Sequence, residues 1–139
     1  MYEIFEHTAD LGIRIRADSQ DELFADAARG LFSVMVTNPG TVRTATEATF
    51  QLHADNVEEL LHDWLTELLY TFYARRLVLA DFQVQVRVST ASELTATARS
   101  EPIDPGRHEI GAEVKAITWH GLKVQRQVEG WEAEVIVDI

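Results

Sequence analysis

The chain has 139 residues, 12 Lys and Arg against 23 Asp and Glu, a formal net charge of −11, and 46% hydrophobic against 25% charged residues. That is a globular composition at single-domain length: it excludes a disordered tail and lets the fold bury roughly 70% of the surface of the unfolded chain. The absence of cysteine excludes disulfides, thiolate metal sites and a Cys nucleophile, and the acidic balance argues against nucleic acid as the main direct partner and for hard cations or a basic protein.

No apolar run approaches the ~18 residues of a membrane span. The first seven residues carry carboxylates where a signal peptide carries cations, so the expected location is cytoplasmic, with no membrane partner. Pro and Gly are sparse and no segment reads as a linker, which predicts one domain over residues 1–139. Residues 2–6 are a weak strand candidate. Leu11, Ile13, Ile15 and Ala17 then alternate with Gly12, Arg14 and Arg16, as a half-buried strand does. Ser19 and Glu22 form a capping box for a first helix with a stripe through Leu23, Ala27, Leu31 and Met35; Thr37-Asn38-Pro39-Gly40 stops it. Residues 42–53 are another weak strand candidate. Asn56 caps a second helix, with Glu59 in the capping-box position and a stripe through Val57, Leu60, Leu61, Trp64, Leu65, Leu68, Leu69 and Phe72, ending near Arg75 and Arg76.

Beyond it the period is two again. Val84, Val86 and Val88 form one strand and Leu94, Ala96 and Ala98 another, and Asp104-Pro105-Gly106 marks a turn. Residues 113–119 are a third weak candidate. Segments 122–124 and 131–135 flank Glu129-Gly130 as the arms of a hairpin. The sum predicts an α+β fold: a two-layer domain with a largely antiparallel sheet packed against two helices, its strand order left open.

The chemistry gathers at the two ends. His7-Thr8-Ala9-Asp10 joins the first two strands, and the sequence closes on Val137-Asp138-Ile139. If Asp10 faces the last strand, its carboxylate meets those of Asp138 and of the Ile139 main chain, and three such anions repel unless a cation joins them. Oxygen ligation suits Ca²⁺, Mg²⁺ or Mn²⁺, and His7 could widen the choice toward Zn²⁺ or Mn²⁺. The plainer alternative is that Asp10 caps a turn and the last two residues fray into solvent. His120 and Lys123 flank a glycine and form either a polar rim or a solvated turn. His108 reads as an exposed loop histidine, His53 as a residue preceding the second helix, and His62 as a boundary residue beside its stripe. No phosphate loop, nucleophile elbow or His-Glu-x-x-His is present.

Several segments, taken together, resemble the archease family: His7-Thr8-Ala9-Asp10-Leu11-Gly12-Ile13, the run Glu113 to Val124 around Lys115-Ala116-Ile117-Thr118-Trp119-His120, and Gly130-Trp131 with Val135-Ile136-Val137-Asp138-Ile139. Trp119 and Ile117 stand where Tyr or Phe and Val are usual. The resemblance implies not a catalyst but an accessory protein. It would activate an RtcB-type RNA ligase, which joins a 2′,3′-cyclic phosphate or 3′-phosphate end to a 5′-hydroxyl end, by promoting guanylylation with GTP and multiple turnover in tRNA splicing. RNA would be contacted only through the ligase. It also implies a divalent cation at the tip, Ca²⁺ ahead of Mg²⁺ or Mn²⁺, held by Asp10, Asp138 and the carboxylate of Ile139; His7, His120 and Lys123 are further candidates for the rim around it. Two other classes compete: a chaperone-like module that keeps nucleic-acid enzymes soluble, and a metal-dependent phosphoester hydrolase.

Overall fold

Each alternating run becomes a strand and each stripe a helix, in a computed structural model that describes residues 1–38, 43 and 46–139. In chain order these are β1 (Tyr2–His7), β2 (Asp10–Ala17), α1 (Gln20–Met35), β3 (Thr46–Ala54), α2 (Val57–Tyr73), β4 (Leu77–Val88), β5 (Ser92–Pro102), β6 (Ala116–Ile117), β7 (Lys123–Gln127) and β8 (Gly130–Asp138). Both caps work as the sequence predicts. Ser19 Oγ accepts from the Glu22 amide at 3.2 Å and Asn56 Oδ1 from the Glu59 amide at 2.8 Å, each cap contributing about 1 kcal/mol.

The fold is α+β and every strand pairing is antiparallel, but the strands divide between two sheets where a single sheet was expected. The first runs β1-β2-β8, with β6 and β7 sharing the far side of β8: β7 along Gly130–Glu134 and β6 along Val137 and Asp138. The second runs β3-β5-β4. Apolar periodicity marks which face of a strand is buried, not which strand lies beside it, so this division leaves no trace in the alternation. α1 joins the two sheets, packing on β2 of the first and β4 of the second, while α2 lies across all three strands of the second. Trp64, fully buried on α2, donates from Nε1 to the Phe24 carbonyl of α1 at 3.0 Å and meets Phe50 and Phe82 edge-on.

Three strand boundaries differ from expectation. β4 begins at Leu77 because a bulge between Ala80 and Gln83, with Asp81 at φ 54°, shifts its phase and hides the first half from a period-two search. The third weak candidate contracts to Ala116 and Ile117. Before it, the Gly111 and Ala112 amides bond to the Met35 and Val34 carbonyls and the Val114 amide to the Tyr73 hydroxyl, so the segment ties the helix ends instead of joining a sheet. The second candidate runs as β3 from Thr46; residues 42, 44 and 45 lie outside the described residues, as do Pro39 and Gly40 of the first helix stop. Arg76, at φ 56°, takes the left-handed position just past α2.

Candidate metal centre at the end of the first sheet

The first hairpin turns through Thr8, at φ 52°, and Ala9, which sets His7 opposite Asp10. β2 then pairs with β8 from Leu11 opposite Val137 onward. The ladder ends there, and continuing its register by one step would set Asp10 opposite Asp138. On its other side Asp138 faces Ala116 of β6, and its carbonyl accepts the Lys115 amide at 2.7 Å. Directly opposed residues share a sheet face, so His7, Asp10 and Asp138 form one row across three strands. That row lies on the face opposite the buried Ile13, Val135 and Val137. Ile139 follows, half-buried against the core. The first loop and the last strand therefore lie side by side.

Among the described residues, no three His, Cys, Asp or Glu side chains converge as a ready-made metal cage. The row supplies two carboxylate side chains, and a third hard oxygen ligand would have to be main-chain, at Ile139. One observation at this place favours a polar guest: His7 Nδ1 is buried and has no hydrogen-bond partner. Leaving a buried polar atom unpaired costs about 1–3 kcal/mol. Two carboxylates and an unpaired imidazole nitrogen are donor types that suit a divalent cation.

The other sequence-selected residues divide. His120 is exposed in the turn completed by Gly121 at φ 66°, and its ring centre lies 5.6 Å from that of His7. Lys123 stands elsewhere: its Nζ pairs with Glu134 at 2.9 Å, and Glu134 precedes Asp138 by four residues, roughly 13 Å along the strand. There Lys123 ends a charged row, Glu3–Arg14–Glu134–Lys123, that crosses β1, β2, β8 and β7. The hydrogen bond from Lys123, ahead of the charge of Arg14, holds the Glu134 carboxyl below its ordinary range, and the Glu3 carboxylate raises Arg14. Gly12 completes this face. The Phe5 ring occupies the space a Cβ would need there, and the Arg14 guanidinium caps that ring at 4.7 Å.

Of the remaining histidines, His62 is the half-buried boundary residue the sequence predicts, with partners it did not show, and His108 differs from its reading. His62 stacks on Trp119 with ring centres 3.9 Å apart and planes 12° from parallel. Its Nε2 meets the Ile117 carbonyl at 3.0 Å and its Nδ1 the Asp63 carboxylate at 3.2 Å. It thus fastens the segment that carries His120 to α2, a role with no signal in spacing because the two partners are 57 positions apart. His108, expected exposed, is 3% exposed. Its Nδ1 accepts the Asp104 amide at 2.9 Å and its Nε2 faces Glu101 at 3.3 Å; burial, then the charge of Arg107, lowers its pKa. His108 belongs to the turn after β5. His53, at the end of β3, faces Glu93 across the strands at 3.5 Å.

Fold and site together define a class: a small two-sheet α+β protein whose first hairpin and last strand meet at a carboxylate-bearing sheet end. The chain belongs to the archease protein family (MTH1598/TM1083), whose profile matches residues 2–139. It is 36% identical over 139 residues to protein archease of Methanopyrus kandleri, covering 99% of each chain. To protein archease of Pyrococcus furiosus it is 38% identical over 140 residues, covering 99% of this chain and 98% of that one. The solution structure of protein 1598 of Methanobacterium thermoautotrophicum superposes with a TM-score of 0.87 at 32% identity, covering 99% of this chain and 98% of that one. The crystal structure of a Thermotoga maritima protein, described as an archease and possible chaperone, has the same fold, with a TM-score of 0.66 at 22% identity over 100% of this chain and 98% of that one.

Among the described residues, no helix is long and apolar enough to cross a membrane.

Proposed function

We propose that this chain is an accessory protein that activates an RtcB-type RNA ligase, promoting its guanylylation and multiple turnover, and that it works through a divalent cation at the end of the first sheet. Asp10, Asp138 and the carboxylate of Ile139 hold the cation, with Ca²⁺ ahead of Mg²⁺ or Mn²⁺. His7 and His120 border it, and Lys123 acts at a distance by fixing β7 against β8. The cation supplies a compact positive charge among acidic oxygens; the chain's own residues place it on an exposed sheet end that a partner can reach. The single observation behind this reading is the juxtaposition of the first loop with the last strand, with an unpaired His7 nitrogen beside them. The strongly acidic surface suits a partner with a basic, RNA-binding face.

The test is multiple-turnover ligation of a 2′,3′-cyclic phosphate end to a 5′-hydroxyl end with GTP, with and without this protein. Asp10→Ala and Asp138→Ala are expected to abolish the stimulation given by the wild type. Full stimulation by both variants would remove the cation from the mechanism. The second reading follows the description of the Thermotoga maritima relative as a possible chaperone. A chaperone acts through apolar surface, here the exposed Trp119, and not through Asp138. One extra residue after Ile139 separates the two: it displaces the terminal carboxylate and should end cation binding and ligase stimulation while leaving chaperone action intact.

A further inference from the structure

Sheet edges expose unpaired backbone amides and carbonyls, and folded proteins protect them. In the first sheet the border strands are short: six residues in β1, two in β6 and five in β7. In the second sheet β4 is protected twice over. It carries the bulge at Asp81, and α1 covers its outer side, with Asp21 accepting the Val86 amide at 2.7 Å. β3 has neither protection. Its nine residues pair with β5 in unbroken register from Thr46 to Ala54, and among the described residues no backbone or side-chain group bonds to its outer edge.

We infer that β3 pairs with β3 of a second copy of this chain, antiparallel about a two-fold axis through Phe50, making one continuous six-stranded sheet. The sequence of the strand is self-complementary in that register, where facing positions sum to 100. On the solvent face Glu47 meets His53 of the other copy, twice by symmetry, and Thr49 meets Gln51. On the buried face Ala48 meets Leu52, and Phe50 meets its own mate. No pair sets like charges or an apolar residue against a charged one, and opposed pairs of this kind each add stability. His53 already faces Glu93 at 3.5 Å in its own sheet, so pairing would bring a second carboxylate to the same ring. A slip by one residue would turn the buried face of one strand toward solvent, and a slip by two, which keeps the faces, would part Glu47 from His53.

α2 reaches all three strands of its sheet, and α1 lies against β4, so in the paired sheet the two α2 helices share the face that carries Ala48 and Phe50. This association does not depend on the carboxylate end of the first sheet. The net charge of −11 on each copy opposes it, so the dimer forms at high protein concentration and moderate salt.

The chain has no cysteine, which makes a register-specific test simple. Thr49→Cys and Gln51→Cys, both on exposed positions, are prepared separately and oxidised alone and mixed. Facing positions lie about 4.5–5.5 Å apart between Cβ atoms and diagonal ones about 7–8 Å. The mixture is expected to cross-link at least about tenfold faster than either variant alone. Sedimentation equilibrium of the wild type from micromolar to millimolar concentration should show a monomer–dimer equilibrium. Glu47→Lys should weaken it, and Glu47→Lys with His53→Glu should restore it. A wild type that stays monomeric throughout overturns the inference and leaves the edge to a foreign strand. Equal cross-linking rates overturn it too, by placing contact between copies on another face.

Discussion

Asp138→Asn tests the candidate centre with a change of sign. With no cation bound, the carboxylates of Asp10 and Asp138 stand on adjacent strands in one row. At about 5 Å separation in a medium close to water, two unit charges repel by about 0.8 kcal/mol, within the range measured for opposed strand pairs. Asparagine keeps the shape and removes one charge. In the presence of a chelator the variant should therefore be more stable than the wild type by about that amount, or about 3 °C in melting temperature for a domain of this size. Adding Ca²⁺ to 100 times its dissociation constant should stabilise the wild type by about 2.7 kcal/mol, about 10 °C, and the variant far less. The order of the two melting curves thus reverses between chelator and cation. The assay is thermal unfolding followed by near-ultraviolet circular dichroism, repeated with Mg²⁺ and Mn²⁺. A variant that melts at or below the wild type in chelator, and gains as much from the cation, would refute the reasoning.

Two further outcomes follow from histidines outside the row. His62→Ala removes the Trp119 stack and the bond to the Ile117 carbonyl; it should cost about 1–2 kcal/mol and shift the Trp119 emission to the red, and an unchanged emission spectrum would show that the stack is not formed in solution. His108 has its pKa lowered by burial, so as pH falls below the unfolded-state value of about 6.5 the unfolded chain binds the proton first. The stability contributed by neutral His108 is present above that value and drains away as pH falls through it toward the lower folded-state pKa; urea midpoints should drop between pH about 7.5 and about 5.5 in the wild type and fall less in His108→Asn, and parallel profiles would contradict this.

Helices and candidate site were legible for different reasons. The caps at Ser19 and Asn56 and the two apolar stripes are local signals, and local physics suffices to form the elements they mark. The row His7, Asp10, Asp138 was accessible because a two-residue hairpin fixes its own register and the last strand has a clear inward face at Val135 and Val137. The split into two sheets was not, since pairing partners are chosen by long-range packing of α1 between β2 and β4. Lys123 looked close to the tip by sequence distance from His120, but β7 runs antiparallel to β8, so each residue past the turn moves away from Asp138. His62 and Trp119 come together only when α2 and the end of β6 are both in place, and His108 is covered by the same chain reversal that made it look like an open loop.

β8 is the middle strand of its sheet, held by β2 on one flank and by β6 and β7 on the other. Its ties to β2 include the ion pair of Arg14 with Glu134, 120 positions apart along the chain. Closing a loop of that length costs about 4 kcal/mol of chain entropy, whereas β3, α2, β4 and β5 follow one another without interruption. The second sheet can therefore assemble from neighbours, while the first waits for a distant keystone. An ion gripped across that junction would act as a clasp on this long-range closure, so that occupancy reports whether the first hairpin and β8 have met.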